Sequence, residues 1–189
     1  MGLISIEHSK RVYWADFVFY GAIVLLLAGL LLQDSPAERA GPLLAWSLLG
    51  LLAWTLIEYG IHRFVFHGLQ PFRRWHAEHH QRPMALIGSP TLLSAGLAAG
   101  LVFAPALLTL GRGPACALML GLLVGYLFYA LTHHAIHHWR IDNAWLRRRK
   151  QWHALHHHYP DQPARFGVTT SMWDHLLGSG GRAEPVGGD

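Results

Sequence analysis

An all-α integral membrane fold is predicted, with four transmembrane helices and a histidine-rich helical cap on one side that binds two metal ions. Three observations predict it. Hydrophobic residues make up 52% of the 189-residue chain and charged residues only 14%, against roughly 25% charged in soluble domains. Four apolar stretches approach or reach the ~20 residues needed to cross a bilayer. Fourteen of the 15 histidines fall in five places. These are HRFVFH (His62, His67), HAEHH (His76, His79, His80), HHAIHH (His133, His134, His137, His138), HALHHH (His153, His156, His157, His158) and a late His175. Only His8 stands apart, and an interfacial position is expected for it.

The first span runs about 12–32, interrupted only by Asp16, which is expected to snorkel toward the interface. Lys10 and Arg11 before it resemble a signal-peptide n-region, but some 21 apolar residues exceed the usual h-region, so a retained span is favoured. The second runs about 43–61 after the polar, Pro-containing turn QDSPAERAGP. The third covers about 90–110 and the fourth about 114–132, joined by the tight turn GRG. The sole cysteine, Cys116, lies in an apolar run and excludes an intramolecular disulfide framework or a CxxC motif. Residues 1–180 are expected to form one domain, and 181–189 a disordered Gly-rich tail.

With four spans, residues 1–11, 62–87 and 133–189 share one side. That side holds 13 of the 15 Lys and Arg residues, leaving Arg39 and Arg112 opposite. The positive-inside rule then makes both termini cytoplasmic. Every histidine group falls on the same face, which the charge count did not assume. A net charge of +4 suits nucleic acid as well as a membrane, but the basic residues border apolar spans, so a membrane partner is expected and no nucleic acid.

The histidine spacings suit metal ligation, since neutral imidazole is the commonest metal ligand. His133 and His137 stand at i, i+4 and project from one helix face. His76, His79 and His80 stand at i, i+3, i+4, as do His153, His156 and His157, and each trio can present three imidazoles to one locus. His62 and His67 are five apart, roughly 140° around an ideal helix. Either they serve different metals, or the helix bends or ends between them. Ten candidate ligands are too many for one ion, so two ions with about five nitrogens each fit better. His134, His138 and His158 each adjoin a better-placed ligand and are expected in supporting or surface roles. All-nitrogen ligation fits iron or zinc, and the scarcity of carboxylates argues against Mg, Ca or Mn.

Carboxylates nonetheless mark supporting positions. Glu58, four residues before His62 at the inner end of the second span, is costly there and is expected to accept a proton from a ligand imidazole. Asp174 and His175 are candidates for the same work. Arg147, Arg148, Arg149 and Lys150 form a basic block suited to anionic headgroups or an acidic redox partner. Most tryptophans, Trp54 among them, are expected as interfacial anchors, while Trp75 and Trp152 directly precede ligand groups.

The order HxxxxH, HxxHH, HxxxH, HxxHH followed by FGVTTSMWDHLLGS resembles the fatty acid hydroxylase/sterol desaturase superfamily of integral membrane proteins. The strings EYGIHRFVFH (58–67) and FGVTTSMWDHLLG (166–178) look closest to its fatty acid 2-hydroxylase branch, over about residues 50–180. By this resemblance the metal ligands are His62, His67, His76, His79, His80, His133, His137, His153, His156 and His157. HALHHH carries one histidine more than the family pattern, so His157 and His158 are the alternative last pair. The resemblance implies two metal ions, iron expected and zinc the alternative, with O2 as co-substrate. It implies a lipid or fatty acyl substrate hydroxylated on its acyl chain, first at the 2-position of a fatty acid or sphingolipid acyl group. Desaturation, or hydroxylation of a sterol or carotenoid, is the alternative within enzymes. Eukaryotic 2-hydroxylases commonly carry an N-terminal haem-binding donor domain that this chain lacks, so a separate electron-donor protein is expected. A metal transporter or sensor would need polar groups along a mid-membrane path. A b-type haem protein would need paired histidines within facing spans.

Overall fold

The computed structural model describes residues 7–34, 40–140, 143–158 and 164–181. Arg39 and the tail beyond Gly181 lie outside the described residues. The architecture is all-helical, and among the described residues no strand forms, only a single antiparallel bridge between Glu7 and Ile87. In chain order come α1 (Lys10–Asp34) and α2 (Ala40–Gly60), which runs into a π-helical turn (Ile61–Phe66). Then follow α3 (Phe72–Gln81), α4 (Thr91–Ala98), a second π-helical turn (Ala99–Phe103) and α5 (Ala104–Leu110). Last come α6 (Arg112–His138), α7 (Ala144–His158) and the short α8 (Met172–Leu176). Four rods are long and apolar enough to cross a membrane: Lys10–Gln33, Ala40–Phe66, Thr91–Leu110 and Arg112–His138. They are the four spans that hydropathy predicts. The fourth outruns its hydropathic end at Thr132, because HHAIHH continues the helix to His138.

Helix α6 is the axis of the bundle, burying Cys116, Met119, Leu122 and Leu123 against Tyr20 and Leu27 of α1 and Trp54 of α2. The other spans turn leucines outward, with Leu92 87% and Leu108 85% exposed. A hydrocarbon surround makes that arrangement cheap, where water would not. The closest pairing is α2 with α6. A Cβ on Gly121 would run into the Ser47 carbonyl, and one on Gly50 into the Leu118 carbonyl. Glycine at both places lets the two backbones touch, as small residues do between membrane helices. Trp54 belongs to this core and is not an interfacial anchor, because Gly125 opens the space its ring fills.

Asp16 does not snorkel. Its carboxylate accepts hydrogen bonds from Thr91 Oγ1 (2.7 Å) and Tyr126 OH (3.0 Å), tying α1 to α4 and α6. In an apolar surround a partnered carboxylate is cheaper than a free one. The start of α1, the end of α6 and the segment after α3 meet at one end of the bundle. There Tyr13 OH lies 3.1 Å from His134 Nδ1, the His8 amide donates to Leu86 O at 2.9 Å, and Arg82 pairs with Glu7. Helix α7 starts on an Asn143 cap, whose Oδ1 accepts the Leu146 amide at 2.8 Å. Lys150 then donates to the Trp139 carbonyl, holding α7 to the end of α6.

Candidate metal centre

Nine histidines draw together in two groups at that end. In the first, one ring nitrogen from each of His62, His67, His76, His80 and His156 lies within 4.8 Å of every other. In the second, His79, His133, His137 and His153 do the same. His157 stands beside the second group, its Nε2 3.0 Å from His153 Nε2. Its ring stacks on His80 at 4.1 Å, so the two groups adjoin.

Local helix geometry explains the sorting. On a π-helical turn hydrogen bonds run i to i+5, so residues five apart share a face. The turn Ile61–Phe66 thus brings His62 and His67 into one group, where an α-helix would have parted them. His133 and His137, a turn apart on α6, face the second group together. The spacing allows each trio to meet at one locus, but in the structure the trios divide. Neighbouring residues on a helix point about 100° apart, so His79 and His80 cannot serve the same point. Helix α3 sends His76 and His80 to the first group and His79 to the second. Helix α7 mirrors it, sending His156 to the first while His153 and His157 face the second.

The interatomic distances match shared coordination. Nε2 pairs stand 2.9 Å apart for His62–His76 and His76–His80, 3.2 Å for His67–His156 and 3.0 Å for His137–His153. Ligands about 2.1 Å from one ion and at right angles around it are separated by about 3 Å. The His62 and His156 tautomers are determined by their partners. A carbonyl only accepts, so Nδ1–H of His62 donates to Phe166 O (2.5 Å) and that of His156 to Ala164 O (2.7 Å). Each Nε2 is left as a lone pair aimed into the first group. His79 is buried with both ring nitrogens lacking a hydrogen-bond partner, an arrangement that a metal would relieve. These residues fit two metal ions.

Burial, then neighbouring imidazoles, push the ring pKa values down: His67 to about 4, His79 and His157 to about 3, and His76 and His153 well below the ordinary value. The rings are therefore neutral near pH 7, as ligation requires. Apolar rings wall the groups. Phe66 stacks on His76 at 5.3 Å, Tyr129 on His133 at 5.9 Å, and buried Phe166 lies 5.4 Å from His67.

The carboxylates sit elsewhere than expected. Glu58 touches no imidazole. Its oxygens accept the Val168 and Thr169 amides (2.8 and 2.9 Å) and the Thr169 hydroxyl (2.6 Å). Asp174, fully buried, accepts the Phe166 and Gly167 amides and the Ser179 hydroxyl, each at 2.8 Å. Burial lowers the Arg149 guanidinium, and the charges of Asp174 and Glu58 oppose that shift. His175 is exposed, donates Nδ1–H to Ser171 O and stacks on Trp152, away from both groups. His158 is exposed outside them, and His134 and His138 stack on each other on another face of α6. The groups that do hold imidazoles, Phe166 O and Ala164 O, are backbone atoms and carry no residue-type signal. Only the nearness of FGVTT to the histidines hinted at them.

A family model described as fatty acid hydroxylase matches residues 47–179. The chain belongs to the fatty acid hydroxylase family. Among curated relatives, the family member of Schizosaccharomyces pombe described as a ceramide very long chain fatty acid hydroxylase is 36% identical, over 71% of this chain and 42% of its own. A dihydroceramide fatty acyl 2-hydroxylase of Arabidopsis thaliana is 34% identical, over 69% of this chain and 58% of its own. The fatty acid 2-hydroxylase of Rattus norvegicus is 33% identical, over 69% and 38%. The chain thus spans between 38% and 58% of the length of these relatives. The solved structure of full-length scs7p, in which only the hydroxylase domain is visible, matches with a TM-score of 0.78 at 27% identity, covering 92% of this chain and 67% of that one. The fatty acid hydroxylase match takes in all ten candidate ligands, Glu58 and Asp174.

Proposed function

We propose that this chain is a membrane-bound dimetal lipid hydroxylase that places a hydroxyl group on an acyl chain, at the 2-position of a fatty acid or sphingolipid acyl group. The observation that carries the reading is the convergence of imidazoles from α3, α6, α7 and the Ile61–Phe66 turn into two adjoining groups at one end of an apolar bundle. Kinship with fatty acid and dihydroceramide acyl 2-hydroxylases supplies the substrate class. The ligands are His62, His67, His76, His80 and His156 for one ion and His79, His133, His137, His153 and His157 for the other. Iron is the expected metal. When bound, the pair supplies the redox chemistry that turns O2 on an unactivated C–H bond, with electrons from a separate donor protein.

The chain's own residues do the rest. Phe166 O and Ala164 O hold His62 and His156 in the Nδ1–H tautomer, leaving Nε2 free to ligate. Phe66, Tyr129 and Phe166 exclude water from the groups. The lipid-facing leucines let an acyl substrate approach laterally without crossing water. Residues 1–180 act as one domain, and its basic end, with the termini and the metal centre, faces the cytoplasm.

Expression of the chain followed by mass spectrometry of host lipids tests the reading. One oxygen gained per acyl chain is expected, and none with His76→Ala or His156→Ala. A gain that survives both substitutions overturns the site assignment. Unchanged lipids, with metal bound and a competent donor present, overturn the activity.

A further inference from the structure

The two histidine groups are held differently. In the first, His62 and His156 lean on two carbonyls of a single loop, Phe166 and Ala164. Arg165 between them takes a left-handed φ of 62°, its amide bonded to Ser179 O at 2.9 Å. That backbone is fastened from two sides, by Glu58 of α2 through Val168 and Thr169, and by Asp174 of α8 through Phe166 and Gly167. In the second group the ring bonds of His137 and His153 run to other imidazoles, the backbone bond of His157 goes to His80 on α3 rather than to this loop, and His79 has both nitrogens unpartnered.

We infer that Glu58 and Asp174 are positioning residues for the ion of the first group alone, acting through the backbone of residues 164–169. The inference rests on the two-metal reading above. Each carboxylate accepts two backbone amides and one hydroxyl, and so pins where the carbonyls point without touching a ligand. Loss of the clamp frees the Phe166 and Ala164 carbonyls, and with them the orientation of two of five imidazoles. The ion of the second group has no ligand on this loop.

Cobalt(II) titration of the full chain in detergent, read by its visible absorption, separates the sites. With the second group disabled by His153→Ala, Glu58→Gln is expected to weaken binding at the remaining site roughly 10- to 100-fold. Thr169→Val, which removes only one hydroxyl from the clamp, gives a smaller loss in the same direction and guards against a Glu58 variant that does not fold. With the first group disabled by His62→Ala, neither change is expected to alter affinity. Equal weakening in both backgrounds, or none in the His153→Ala background, overturns the inference. Unmutated chain that saturates with one cobalt ion or none overturns the two-metal reading, and this inference with it.

Discussion

At the scale of single residues, the depressed imidazoles make the metal-free chain sensitive to acid. Unfolded histidine titrates near pH 6.5, whereas His67 titrates at about 4 and His79 and His157 at about 3 in the folded chain. Below about pH 6.5 the unfolded chain takes up protons that the folded one refuses, so stability is full above that value and falls with pH. Thermal melts of the chelated protein in detergent are expected to be level from pH 8 to 7 and to drop steeply toward pH 4. A melt that stays level to pH 4 would show that the rings protonate freely when folded. Gly167 offers a second residue-scale check. A Cβ there would meet the Thr170 carbonyl and come within 3.0 Å of Asp174 Oδ2. Gly167→Ala should cost about 1–3 kcal/mol, and a melt matching the unmutated chain counts against the tight loop.

At the scale of elements, the α2–α6 contact depends on absent side chains. Gly121→Leu drives a branched group into the Ser47 carbonyl and should cost at least about 1–3 kcal/mol, read as a lowered melting temperature. An unchanged melt would mean the helices can part freely. The Asp16–Tyr126 bond is a smaller matter, since hydrogen bonds between membrane helices average about 0.6 kcal/mol. A double-mutant cycle of Asp16→Ala with Tyr126→Phe should therefore return a coupling of that order. The π-helical turn after α2 has a chemical consequence as well as a structural one, because it alone lets His62 and His67 face the same group.

At the scale of the whole molecule, the polar and histidine-bearing segments gather at one end of the bundle and the α5–α6 turn lies at the other. The orientation that places the first end in the cytoplasm can be tested by labelling single cysteines in a Cys116→Ala background. Arg74→Cys is expected to react from the cytoplasmic side and Arg112→Cys from the opposite side. The reverse pattern would turn the proposed orientation over. Metal analysis of the purified chain is expected to return two ions, falling to about one in His153→Ala or His62→Ala, since each disables a single group.

The sequence by itself determined the class of the fold, because apolar runs of bilayer length have one stable outcome as helices, whatever their neighbours. It determined which histidines were candidates, because their spacing is local. Three things were left to the tertiary structure. Which histidine joins which group depends on the placement of α3 and α7 between the two sites, and that is set by packing between distant segments. The π-helical turn replaces an α-helical one without a residue-type signature. Glu58 and Asp174 were recognisable as costly buried carboxylates, yet their partners proved to be backbone amides more than a hundred residues away for Glu58 and seven or eight away for Asp174. An amide looks the same in every residue, so a clamp built on the backbone becomes visible only when the chain has folded.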